Sequence, residues 1–305
     1  MKILFVTASL FFIFISCEHE IKTNLPISNP NLISKIESKE ISEIEYTKIT
    51  DRTQISKQLT EKIKENKPLI AHILVPLCDN LNQGIVPTSP KLGNGLDLRN
   101  NLYWGVRHGM KTIFKRNKKW KLVKEIKNPS SNILERVIYQ RIFENKAKVI
   151  LVMDAYRGDR MKVCLEDYFN SLAENKTEIL TIDSTKIPIY GNADLIGFNG
   201  HNGLMDTEIS YEITKQNIRQ KDALSISCQS KYYFNERYQE INAYPLVVTT
   251  NNLYPGGFIV EGIIEKWAIQ KSDELIRQEA GNAYHRVKKC GIKGARRLFQ
   301  TGWNK

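Results

Sequence analysis

Residues 192–206 read NADLIGFNGHNGLMD, and residues 222–230 read DALSISCQS. Leu195–Phe198 and Ala223–Ser227 are short apolar runs bounded by Asn, Asp and Gly, the pattern of strands buried on both faces. Each run leads into a reactive side chain, His201 after the first and Cys228 after the second. Neighbouring strands lie about 4.8 Å apart, so adjacent parallel strands ending here bring an imidazole and a thiol to one edge. In an open α/β sheet that carboxyl edge is where ligands bind.

Outward from this pair, strand and helix patterns alternate. Residues 51–66 carry Ile55, Leu59 and Ile63 at fourfold spacing, which predicts a helix. Leu69–Leu77 and Lys148–Asp154 are apolar runs that predict buried strands, and Tyr244–Thr250 predicts another. Further helices are expected at 101–115, 131–143, 163–174, 258–270 and 273–289. A short strand is expected at 120–126 and a β-excursion at 178–190. Residues 78–100 form a long loop rich in Gly, Pro and Asn, a length usually tied to function. The sum is a single α/β domain over residues 51–305, with a mainly parallel sheet of about six strands flanked by helices.

The N-terminus reads differently. Residues 1–16, MKILFVTASLFFIFIS, have one Lys and a long apolar core, as a secretory signal does. Phe14-Ile15-Ser16-Cys17 resembles a bacterial lipobox, which implies that Cys17 is lipidated and that the chain is an envelope lipoprotein. Residues 17–50 are Ser-, Lys-, Glu- and Asn-rich, as expected of a flexible tether.

The formal net charge is +12. The cations are dispersed apart from Lys111–Lys124 and the C-terminal tail, and no nucleic-acid motif accompanies them. A basic face solvated near anionic lipid or polysaccharide fits better than a specific nucleic-acid site. Beyond Cys17 the cysteines are Cys78, Cys164, Cys228 and Cys290, too scattered for a disulfide framework and lacking zinc-ligand spacing. No metal or cofactor is expected. The elbow, phosphate-loop, zincin and dinucleotide motifs GxSxG, GxxxxGK[ST], HExxH and GxGxxG after a strand are all absent.

A thiol beside an imidazole forms a thiolate–imidazolium pair, a nucleophile with a proton donor for a leaving amine. Asn202 and Gly203 lie where backbone amides would meet a developing oxyanion. Asp154, Arg157 and Asp206 are the charged candidates for substrate binding, and Asp154 or Asp206 for orienting His201. Trp104, Tyr232, Tyr233 and Tyr254 are candidate groove walls. Cys78, which closes a strand, is the competing nucleophile. His108 is followed by Gly109 but lies in a helical pattern, and His72 and His285 read as packing residues.

The order strand-His-Gly, then strand-Cys, carried by residues 195–203 and 223–230, resembles the caspase-like cysteine peptidases, the group of caspases, legumains, gingipains and separases. The resemblance implies a doubly wound sheet in which His and Cys close adjacent strands, and hydrolysis of a peptide or protein substrate through a dyad of His201 and Cys228. Asn202 between His201 and Gly203, and the bulky Ile226 before the cysteine, depart from the family pattern. A non-catalytic surface lipoprotein that binds a peptide or glycan at the same edge is the alternative.

Overall fold

The strand built from LIAHILVP lies at the heart of the sheet and is buried along its whole length. This computed structural model describes residues 51–214 and 218–303. The signal, Cys17 and the tether therefore lie outside the described residues. The described residues form an α/β domain in which helices flank a mixed, mostly parallel sheet.

In chain order the elements are α1 (Thr53–Lys64), β1 (Leu69–Pro76), α2 (Met110–Arg116), β2 (Lys121–Ser130), β3 (Ile133–Ile142), β4 (Lys148–Tyr156), α3 (Met161–Leu172), β5 (Thr177–Ile182), β6 (Thr185–Tyr190) and β7 (Leu195–Asn199). Next come β8 (Asp222–Ile226), α4 (Ser230–Ile241), β9 (Tyr244–Thr249), α5 (Gly257–Ala268), α6 (Asp273–Lys288), α7 (Ile292–Arg297) and β10 (Phe299–Gln300). The sheet runs β10-β9-β8-β7-β1-β4-β3-β2, and β5 and β6 make a separate hairpin. The five strands from β9 to β4 are parallel, while β10, β3 and β2 are antiparallel additions at the two sides. The sheet therefore has eight strands where the sequence pattern suggests about six.

Alternation along β1 divides the core. Leu69, Ala71, Ile73 and Val75 pack with residues of α1, α2, α5, α6 and α7. Ile70 and Leu74 pack with residues of α3, α4 and β6 on the other face. Both faces are thus covered, which is why β1, β7 and β8 read as unbroken apolar runs. Among the described residues no helix is long and apolar enough to cross a membrane.

The sequence pattern misleads in three places. Residues 131–143 are not helical: they form β3, antiparallel to β4 and β2. Asn128-Pro129-Ser130 looks like a helix start, yet it ends β2 with an irregular pairing just before the hairpin turn, Asn128 lying at φ 47° in the left-handed region. The β-branched and aromatic residues Ile133, Val137, Ile138 and Tyr139 then distribute to the two faces of a sheet. Of the helix expected at 101–115, only 110–116 forms. The preceding turns are organised by buried Asn101, whose Oδ1 accepts from the Cys78 and Tyr103 amides and whose Nδ2 donates to the Cys78 and Asn94 carbonyls. Helix α4, between Cys228 and β9, has too weak an apolar period to be read from sequence. Its buried apolar residues are Phe234, Tyr238 and Ile241.

Candidate functional site at the carboxyl edge of β7 and β8

Register puts the two reactive residues level. Strands β7 and β8 pair in parallel up to Asn199 opposite Ile226, and Gly200 extends the ladder by donating to the Ile226 carbonyl (3.2 Å). His201 and Cys228 each lie two residues beyond that last pair. Buried Asn202 then ties the loops together: its Nδ2 donates to the Cys228 carbonyl (2.7 Å), and its Oδ1 accepts from the Leu204 amide. Asn202 therefore positions the edge, and its side-chain amide is already committed.

His201 is buried to 9% exposure and bonds through Nε2 to Oδ2 of Asp206 at 2.5 Å. In the neutral ring this pairing puts the hydrogen on Nε2 and leaves the lone pair on Nδ1. Asp206 lies at the end of the turn Gly203–Met205. A Cβ on Gly84 would lie 2.2 Å from Asp206 Oδ1, so the long loop after β1 approaches this carboxylate closely. Gly203 is small for another reason, since a Cβ there would meet Met161 Cγ at 2.4 Å. Its amide donates to the His201 carbonyl, so it is spent in the turn and is not the expected oxyanion donor. The Cys228 amide, by contrast, donates to no group among the described residues.

Cys228 is partly exposed and sits two residues before the first residue of α4. Its thiol donates to the Leu253 carbonyl at 3.6 Å, within the loop after β9. Burial pushes the thiol above its ordinary pKa. No hydrogen bond joins Cys228 to His201 among the described residues, so the expected ion pair is not formed in this arrangement.

The other candidates separate clearly. Asp154 is fully buried inside β4, not at the edge. Arg136, its cross-strand neighbour, grips it with two hydrogen bonds of 2.7 and 2.8 Å, and His72 Nε2 adds one of 3.0 Å. Burial opposes its ionisation, but His72 and Arg136 outweigh that and hold the carboxyl well below the usual range. It is neither a substrate ligand nor an orienter of His201. Arg157 is bound in a bidentate pair to Asp159, two residues along, so its guanidinium is occupied. Cys78 is fully buried and its thiol is pushed up to about 11, mainly by burial. Of the suggested groove walls, Trp104 is in the core and donates to Glu135. Tyr254 is partly buried and donates to the Leu102 carbonyl. Tyr232 is 65% exposed at the start of α4, and Tyr233 packs against the core beside it.

Sequence reading passes over Asn101, the Leu253 carbonyl and Gly84. A lone Asn or Gly in a long polar loop carries no periodic signal; only a contact across the fold distinguishes it. No three or more His, Cys, Asp and Glu side chains gather as a metal site among the described residues, and no disulfide joins the described cysteines. Comparison with models of protein families, with curated proteins and with solved structures finds no match.

Proposed function

We propose that the protein is a caspase-like cysteine peptidase of the cell envelope, exported and anchored by lipid at Cys17. The observation that carries this reading is the register that sets His201 and Cys228 level at the carboxyl edge of neighbouring parallel strands. The order β4-β1-β7-β8-β9 supports the doubly wound arrangement that the family resemblance implies, because the chain passes first to one side of β1 and then to the other. Asp206, on Nε2, adds the group that fixes the imidazole tautomer.

In this mechanism Nδ1 of His201 takes the proton of the Cys228 thiol, and Sγ bonds to the scissile carbonyl carbon as the oxygen takes the negative charge. The Cys228 amide is the donor available to that oxygen. The imidazolium then protonates the leaving amine while the C–N bond breaks, leaving a thioester. Water gives a proton to the same imidazole and attacks the thioester. The C–S bond breaks, the acid departs, and the returned proton restores the thiol. The bond from Cys228 to Leu253 belongs to a resting state, which substrate must displace.

One observation favours a second reading. A thiol hydrogen-bonded to a carbonyl and raised by burial is also what a structural cysteine looks like. On that reading the protein is a non-catalytic surface lipoprotein that holds a peptide or glycan at this edge.

The test is cleavage of a fluorogenic peptide library by the full chain beside Cys228→Ala, His201→Ala and Cys78→Ser. Cysteine peptidase action predicts a loss of about a hundredfold or more in the first two variants and retention in the third. Cleavage that survives Cys228→Ala removes the peptidase reading. Peptide binding without cleavage, unchanged in Cys228→Ala, leaves the binding lipoprotein.

A further inference from the structure

The outermost strand, β2, lies four places from β7 in the sheet, about 19 Å away at the usual strand spacing. Among the described residues it pairs only with β3, so its other edge has no strand partner there. From Lys115 to Lys124 the chain reads KRNKKWKLVK, with no acid in the run. Lys115, Arg116, Lys118, Lys119, Lys121 and Lys124 are all exposed. None of the six forms an ion pair with an acid among the described residues. The cations on either side of the run behave differently: Lys111 bonds to Glu125 and Glu135, and Lys127 to Glu135. The fold thus pairs the cations that flank the run and leaves the six of the run without a counter-ion among the described residues, from the end of α2, around the turn, onto β2.

Two apolar side chains stand out along the same border. Leu122, which pairs with Tyr139 and so faces the α2 side of the sheet, is 47% exposed. Ile142, two residues past Gln140 and on the opposite face with Lys121 and Lys124, is 72% exposed, so each face of this corner carries one aliphatic group. Cations interleaved with exposed aliphatic groups match a lipid interface, where charge meets headgroups and short apolar chains enter the acyl boundary. A bare polyanion such as nucleic acid would use the charge and offer nothing to Leu122 or Ile142.

We infer that the band from Lys115 to Lys124 on α2 and β2, with Leu122 and Ile142, is a docking surface for anionic phospholipid headgroups. Its role is orientation. With this side of the sheet against the bilayer, β7 and β8 stand several strands away, and the edge that carries His201 and Cys228 remains open. The inference is independent of what that edge does. A lipid anchor at Cys17, expected from the sequence, would keep the band close to such a surface.

The test is co-sedimentation of the full chain with vesicles of phosphatidylcholine alone and of phosphatidylcholine with about one third phosphatidylglycerol. The contrast between the two vesicles cancels the charge-independent contribution of the N-terminal segment, and the two double variants share its charged part unchanged. Parent protein is expected to prefer anionic vesicles, and the preference should fall as salt rises. The double variant Lys118→Ser/Lys119→Ser should lose roughly 25-fold of that preference, at roughly fivefold per cation near the surface. Lys57→Ser/Lys64→Ser, which removes two exposed cations from α1, should change it little. Circular dichroism and melting temperatures matching the parent would show that the variants fold. Equal binding to both vesicles overturns the proposal, as does equal loss in the two double variants. Tighter binding to heparin or to single-stranded DNA than to anionic vesicles, lost in the Lys118→Ser/Lys119→Ser variant, would make the band a polyanion site and overturn the lipid assignment.

Discussion

Two His–Asp pairs among the described residues are chemically alike and structurally opposed. His72 and Asp154 meet at 3.0 Å in the middle of β1 and β4, with both side chains fully buried. His201 and Asp206 meet at 2.5 Å beyond the end of β7, where Asp206 is exposed. In the first pair both ring nitrogens are used, because the Tyr190 amide donates to Nδ1 while Nε2 donates to Asp154. Arg136 completes the set and is joined in turn to Glu178 and Tyr190. Such a ring has no nitrogen left for a substrate. In the second pair Nε2 alone is committed, and a neighbouring loop carries a thiol. Position along the strand, rather than residue type, separates a structural histidine from one available for chemistry.

The largest effect expected of this contrast is on stability. Arg136→Leu leaves Asp154 charged and buried without its main counter-ion, which should cost about 3–5 kcal/mol and show as a large fall in the calorimetric melting temperature. Asp206→Asn, whose carboxylate is exposed, should cost less, about 1 kcal/mol. Similar costs at the two sites would break the comparison.

The acid limb comes next. The Asp154 pKa is lowered in the fold, so its contribution is present above the unfolded carboxyl value near 3.9 and is lost as pH falls below that value through the folded one. Melting temperature should therefore drop steeply below about pH 4 in the parent, and Asp154→Asn should show a shallower drop. An unchanged slope would mean that Asp154 is not the group being titrated.

Removing the clamp should cost less. Asn202→Ala leaves the Cys228 carbonyl without its partner, for about 1–2 kcal/mol, and should speed alkylation of Cys228 as read by mass spectrometry. The smallest stability effect belongs to Gly84→Ala. Its Cβ meets the movable end of Asp206, so the melting temperature should shift little. The pH profile of Cys228 alkylation should nevertheless move in the same direction as in Asp206→Asn, because both disturb the His201 partner. Opposite shifts would separate the loop from the histidine.

Much of the site is legible in the chain because buried parallel strands advertise themselves. Leu195–Phe198 and Ala223–Ser227 are apolar without alternation, and the residues just past such a run must emerge at an edge. The same logic misplaces Asp154. The apolar run from Lys148 stops at this acid, but β4 continues through Ala155 and Tyr156, both fully buried, and that carries Asp154 into the core. An ion pair with a cation from another strand permits such burial, and no local pattern signals it. Residues 131–143 mislead likewise, since helix-start chemistry and hairpin chemistry share Asn, Pro and Ser.

The sequence by itself determined the alternating α/β architecture, the central strands and the two residues that close β7 and β8, because burial of backbone on both faces demands continuous apolar runs. Only the tertiary structure decided which acid partners which histidine, that the thiol rests on the Leu253 carbonyl, and which cations are left unpaired on β2. Those outcomes rest on contacts between residues distant in the chain, where geometry and desolvation choose among groups that look equivalent in sequence.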